Sequence, residues 1–225
     1  ATFAIPVYAF MAAMTALVVW GLFQVGVLGR ELRAESAEFE LVTPDGVAVA
    51  GLALAFVVAK SFASGCAALT GVEAIHNGVP AFRSPRARNA ATTLVMLGVV
   101  SISFLLGLIV LANQLGVQVA EDPATQLIGA PEDYQQKTMI AQLADPVFAG
   151  LPVAFYVIMT ITALILVLAA NTAFNGFPVL ASVLARDKYL PRQLATRGDR
   201  LAFSNGIVLL AVAAIVLVVA FDAQV

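Results

Sequence analysis

Residues 61–80 read Ser61-Phe62-Ala63-Ser64-Gly65-Cys66-Ala67-Ala68-Leu69-Thr70-Gly71-Val72-Glu73-Ala74-Ile75-His76-Asn77-Gly78-Val79-Pro80. They continue an apolar run that starts at Ala48 and carries only Lys60 and Glu73 as charged groups up to Ile75. Small residues crowd the stretch, and small residues let helix backbones approach closely. Gly65, Gly71 and Gly78 are weak points for a helix. Glu73 follows Gly71 by two positions. A carboxylate inside a membrane span is costly, and it marks a functional site by default. Together these features predict a helix broken near Thr70-Gly71. A break turns backbone carbonyls, amides and half-helix ends towards a cavity, where carbonyls hold a cation and half-helix N-termini an anion. Thr70 adds a hydroxyl, and Glu73 could hold a cation or carry a proton. The competing reading is a kinked structural helix whose Glu73 pairs with a basic group elsewhere.

Composition sets the environment of that stretch. Of the 225 residues, 61% are hydrophobic and 12% charged. Soluble domains run at about 45–50% and about 25%. The mean hydropathy is +0.94. These values exclude a disordered chain, a disulfide scaffold and an ordinary soluble enzyme. The net charge of -2 offers no basic face for nucleic acid, so no nucleic-acid partner is expected. A single cysteine, Cys66, allows no intrachain disulfide and reads as a small packing residue. The chain starts without Met and enters an apolar stretch at once, and it stops just after another. It is read as an excerpt of a longer membrane protein.

A spanning helix needs about 20 mostly apolar residues. The chain is expected to be an all-α polytopic membrane protein with five spans, at about 3–28, 48–80, 90–115, 147–184 and 201–221. Backbone groups cannot be left unpaired in hydrocarbon, so the spans must be helical. The fourth is too long for one straight crossing, and Gly176 and Pro178 are expected to bend it or mark its exit. Orientation follows the basic residues in short loops. Arg83, Arg86 and Arg88, with Arg186, Lys188, Arg192, Arg197 and Arg200, make up most of the 12 Lys and Arg. Loops 81–89 and 185–200 are therefore expected on the cytoplasmic side, and loops 29–47 and 116–146 outside. The first residue is then cytoplasmic and the last is outside, in a multi-pass protein of the plasma (inner) membrane. Loop 116–146, rich in acids, reads as solvated.

Other polar residues are weaker candidates. His76 lies three positions after Glu73 and can share its helix face, which suits a proton relay. One His and one Cys do not make a zinc site. Asn171, Thr172 and Asn175 follow a purely aliphatic run. They either bond across helices, at about 1 kcal/mol each, or line an ion pathway.

Phe62 with Thr70-Gly71-Val72-Glu73-Ala74-Ile75 resembles the broken sixth helix of the amino acid–polyamine–organocation (APC) superfamily. Ala185-Arg186-Asp187-Lys188-Tyr189-Leu190-Pro191 resembles that superfamily's cytoplasmic stretch after the eighth helix. Three fuller strings, 62–75, Asn77-Gly78-Val79-Pro80-Ala81-Phe82 followed by Arg88-Asn89-Ala90, and Arg197-Gly198-Asp199-Arg200 followed by Ser204-Asn205-Gly206-Ile207, resemble the branch of KimA-type potassium–proton symporters. The resemblance covers the family's fifth to ninth helices. It implies a LeuT-like fold of inverted five-helix repeats, of which this chain is a part. It implies binding residues on first, third and tenth helices beyond this stretch, so the remaining helices of a full-length transporter are partners. It further implies that Thr70 is a ligand of transported potassium, with Gly71 at the break and Glu73 coupling the proton. No resident metal and no cofactor are expected, and a homodimer is an expectation. His76 departs from the branch, where a small polar residue such as Ser is expected.

The expected function is therefore proton-coupled potassium uptake. The alternative is a proton-coupled amino acid permease, since the same broken helix can bind a carboxylate through its amides. An acid on the missing first helix favours a cation, and a Gly-rich unwound segment favours an amino acid. An enzyme is not expected, because no nucleophile–base pair, metal set or phosphate loop is present. A non-transporting scaffold would tolerate Glu73→Gln.

Overall fold

The computed structural model describes residues 4–41, 52–67, 75, 78–120, 123–131, 134–195 and 204–220. Along them run α1 (Ala4–Gly26), β1 (Glu40–Leu41), α2 (Leu52–Ala67), α3 (Arg86–Leu115), α4 (Pro123–Gln126), β2 (Leu127–Ile128), α5 (Met139–Val147), α6 (Pro152–Arg186) and α7 (Ser204–Ala220). By length and composition α1, α3 and α6 can each cross a membrane, and α7 is a shorter apolar helix. Large apolar side chains such as Val95, Val99, Ile102 and Leu106 of α3 are exposed along these helices. A contiguous apolar surface of that kind suits lipid or further helices and not water. The chain is an all-α polytopic membrane protein.

Hydroxyl groups inside the apolar helices are satisfied locally. Thr92, Thr93 and Ser103 of α3 donate to the carbonyls of Arg88, Asn89 and Val99. Thr160 and Thr162 of α6 donate to those of Tyr156 and Ile158. This one-turn-back bond lets a polar side chain sit in hydrocarbon without an unpaired donor.

Two compact units divide the chain, Met14–Val147 and a second made of Ala1–Ala13 with Phe148–Val225. In the first, α1 and α3 meet through reciprocal glycines. A Cβ on Gly107 would lie 2.5 Å from Val18 Cγ1, and one on Gly21 would lie 2.8 Å from Leu111 Cδ1. Each helix thus offers a glycine to the other's branched side chain, one turn along. In a membrane such close packing carries helix association, because lipid is as apolar as the side chains. Met14, Leu17, Leu111 and Leu115 are buried beside it. α3 ends at Gly116, whose φ of 68° is left-handed. The N–H of Gly116 donates to the Asn113 carbonyl and that of Val117 to the Ala112 carbonyl, closing the helix as glycine C-caps do.

Loops 29–47 and 116–146 pair with each other. β1 runs antiparallel to β2, with Glu40 opposite Ile128 and Leu41 opposite Leu127. Among the described residues of 116–146, β2 and α5 are ordered elements, and Asp145 is half exposed. The signal for α5 was present in Ile140, Leu143, Ala144 and Val147, which recur at helical spacing. Leu143, Ala144 and Val147 are buried.

Within the uncharged run 147–184 the helix starts five residues later than expected. α5 ends at Val147 and α6 begins at Pro152. Leu151, with φ -139° and ψ 72°, leaves the helical region because the residue before a proline is pushed out of it. The helix then passes through Gly176 and Pro178 to Arg186, so the pair does not end it. Membrane helices tolerate proline when local bonds compensate. Nearby, Asn175 Nδ2 donates to the Asn171 carbonyl and Ser182 Oγ to the Val179 carbonyl, while the carbonyl that Pro178 leaves without a helical N–H donor is that of Phe174.

In the second unit α6 turns through a 3-10 segment, Arg192–Leu194, towards α7. Ala181, Ala185 and Leu194 form a small core, with Phe177 and Leu190 packed on it. Gly206 of α7 abuts Pro178 of α6: a Cβ there would come within 2.9 Å of Pro178 Cβ and 3.0 Å of its Cα.

Candidate functional site

Thr70, Gly71, Glu73 and His76 lie outside the described residues. The described part of the expected site is on α6. Asn171, Thr172 and Asn175 are exposed there, within little more than one turn. Thr172 Oγ1 donates to the Leu168 carbonyl at 3.1 Å, and Asn175 Nδ2 donates to the Asn171 carbonyl at 2.9 Å. The Thr172 hydroxyl and one of the two Asn175 amide N–H donors are thus used within the helix. The side-chain oxygens that remain are neutral, hard acceptors of the kind that suits an alkali cation. Asn171 and Thr172 line a groove of about 400 Å³ with Val7, Ile165, Leu168 and Ala169. The groove is otherwise apolar, so these two side chains set its polarity. Among the described residues no cluster of three His, Cys, Asp or Glu could hold a metal ion.

The structure also shows a polar network that the sequence reading did not single out. Ser36 Oγ donates to Gln142 Oε1 in a short hydrogen bond, and both residues are almost wholly buried. The Gln118 N–H donates to Ser36 Oγ, and Gln142 Nε2 donates to the Lys137 carbonyl. The Lys137 ammonium bridges Glu35 at 2.5 Å and Asp145 at 2.9 Å. Gln24, buried in α1, donates to the Val147 carbonyl at 3.0 Å and accepts from Arg30 Nη1 at 3.0 Å. The network is thus tied to α1 through Gln24, to the residues after α3 through Ser36, and to α5 through Gln142. The available signal was Gln24 itself, an amide in an otherwise apolar span that needs a partner.

Two titrations report the network's electrostatics. The bridges to Glu35 first, and to Asp145, raise the Lys137 ammonium well above its ordinary value of 10.5. Burial first, and then the Glu35 charge, raise the Tyr134 hydroxyl above its ordinary range. A lysine raised in the folded state gives stability that is complete below 10.5 and is lost only as pH climbs through the higher folded value. Lys137→Met should therefore show the same deficit at pH 7 and at pH 10. The partners are about half exposed, so the deficit should be about 1 kcal/mol in all. Gln142→Ala should cost about 2–3 kcal/mol, because it strands the buried Ser36 hydroxyl. Thermal unfolding of the full-length protein in detergent checks both.

The fold defines a polytopic membrane protein, with apolar helices and a mainly apolar groove that carries Asn171 and Thr172. The family model for amino acid permeases matches residues 2–224, and the chain belongs to that family. It is 45% identical over 221 residues to the potassium transporter KimA of Bacillus subtilis (strain 168), a match that covers 98% of this chain and 33% of that protein. The chain thus spans about a third of the length of that relative.

Proposed function

We propose that the chain is the central part of a proton-coupled potassium importer. The observation that carries the reading is the 45% identity over nearly the whole chain to a protein named as a potassium transporter. Glu73, an acid placed by sequence in an apolar span, supplies the coupling group. Thr70 and the backbone at Gly71 supply oxygens for the ion, and His76 shares the proton path. Asn171, Thr172 and Asn175 line the same route from α6. The proposed arrangement is one part of a LeuT-like inverted repeat, with the second span, 48–80, as its broken helix.

The proposed topology places residue 1 in the cytoplasm and residue 225 outside, in the plasma membrane. The pairing of β1 with β2 puts residues 40–41 and 127–128 on one side of the membrane, and the choice of side rests on the basic residues alone. The basic residues of loops 81–89 and 185–200 then face the cytoplasm.

The test is uptake of rubidium, as a potassium tracer, by cells that lack their own potassium importers and express the full-length protein. The expected result is uptake that an uncoupler abolishes. No uptake by a well-expressed, folded protein would overturn the reading. The family description favours one second reading, a proton-coupled amino acid permease. In that case amino acid uptake, and not rubidium uptake, collapses with the uncoupler.

A further inference from the structure

We propose that the turn from α6 to α7 binds the headgroup phosphate of an anionic phospholipid. The turn is built to hold a fixed shape. Beyond Arg186, the last residue of α6, the Asp187 N–H donates to the Val183 carbonyl, the Lys188 N–H to Ala185 and the Tyr189 N–H to Leu184. Underneath, Ala181, Ala185 and Leu194 form a buried core on which Leu190 packs. Lys188 has φ 68°, the left-handed conformation that glycine adopts freely and lysine does not. A lysine is therefore held where a glycine would be the less strained choice.

The described outer surface of the turn is basic. Arg186, Lys188 and Arg192 are exposed, and among the described residues no ion pair engages them. Asp187 is the one acid between them. Tyr189 is 79% exposed, although it stands between two apolar helices. α6 is apolar and long enough to cross the membrane, and α7 is apolar too, so the turn joining them lies at a membrane surface. Tyrosine is enriched at that depth, where its ring meets the headgroups. Basic residues directly beside a spanning helix attract anionic lipid by about 1 kcal/mol each, or about fivefold in affinity. Charge complementarity thus selects an anionic headgroup over a zwitterionic one. The proposal requires a membrane surface and does not depend on which side of the bilayer the turn faces.

The test is native mass spectrometry of the full-length protein in detergent, titrated with phosphatidylglycerol or with phosphatidylcholine. The wild type should retain phosphatidylglycerol in preference. Lys188→Gly removes the ammonium and leaves a residue that suits φ 68°, so the fold should be kept, with an unchanged or raised melting temperature. It should weaken phosphatidylglycerol retention about fivefold, and Lys188→Gly with Arg192→Gln about 25-fold. Retention of phosphatidylcholine should not change, and Lys188→Arg should retain phosphatidylglycerol as the wild type does. Equal retention of the two lipids by the wild type would overturn the proposal. So would undiminished phosphatidylglycerol retention by the double variant, or displacement of the lipid by inorganic phosphate at equal concentration.

Discussion

Glu73→Gln in the full-length protein is expected to cut rubidium uptake about ten- to a hundredfold at unchanged expression. The substitution keeps the size and the hydrogen-bonding reach of the side chain and removes its charge and its exchangeable acidic proton. A hydrogen bond or ion contact to a charged group is worth about 1.5–3 kcal/mol, which sets that range. The carboxylate lies between Gly71 and Gly78 in a run that is otherwise apolar apart from Lys60. So costly a group in an apolar run is the reason for proposing a role in binding or coupling. Glu73→Asp keeps the charge, withdraws it by one methylene, and should retain part of the uptake. Uptake by Glu73→Gln at the wild-type rate, with the same uncoupler sensitivity, would remove the residue from the mechanism and leave it as a structural partner.

Gly206→Ala should destabilise the folded protein by about 1–3 kcal/mol, the ordinary cost of overpacking a close contact. The added methyl would lie 2.9 Å from Pro178 Cβ and 3.0 Å from Pro178 Cα. A proline ring cannot rotate away and a backbone atom moves only with its helix, so α6 and α7 must separate. Gly176→Ala is the control on the same helix as Pro178, since nothing lies within 4 Å of the Cβ it would add. There the loss of glycine's backbone freedom should stabilise by about 0.5–1 kcal/mol. Thermal unfolding of the full-length protein in detergent separates the two. Equal melting temperatures for Gly206→Ala and the wild type would show that the α6–α7 contact is loose.

Much of the fold was legible because hydrocarbon permits few solutions. An uncharged run of sufficient length has to become a helix, and α1, α3 and α6 occupy such runs. The limits of these helices were less legible. The run 147–184 was expected to start at Val147, whereas its helix starts at Pro152, a shift that Gly150 and Pro152 already signalled. Gly176 and Pro178 were expected to bend that span or mark its exit, and the helix passes through both to Arg186. On the candidate site, sequence pointed to Thr70, Gly71, Glu73 and His76 through one costly carboxylate and its glycines. For Asn171, Thr172 and Asn175 it left two uses open, bonds across helices or the lining of an ion pathway. The groove they share with Val7 depends on residues far apart in the chain.

By itself the sequence determined the solvent, the helical class and the family, because each follows from composition, run length or local strings of residues. Tertiary structure alone decided which of the described glycines are contact points. Gly21, Gly107 and Gly206 are, while Gly98 and Gly176 face open space. It also decided that Ser36 and Gln142, partners 106 positions apart, meet in one buried hydrogen bond. The physical reason is the range of the interactions. Transfer to hydrocarbon acts on each residue where it stands, whereas a steric contact or a buried hydrogen bond exists only once two distant segments have been brought together.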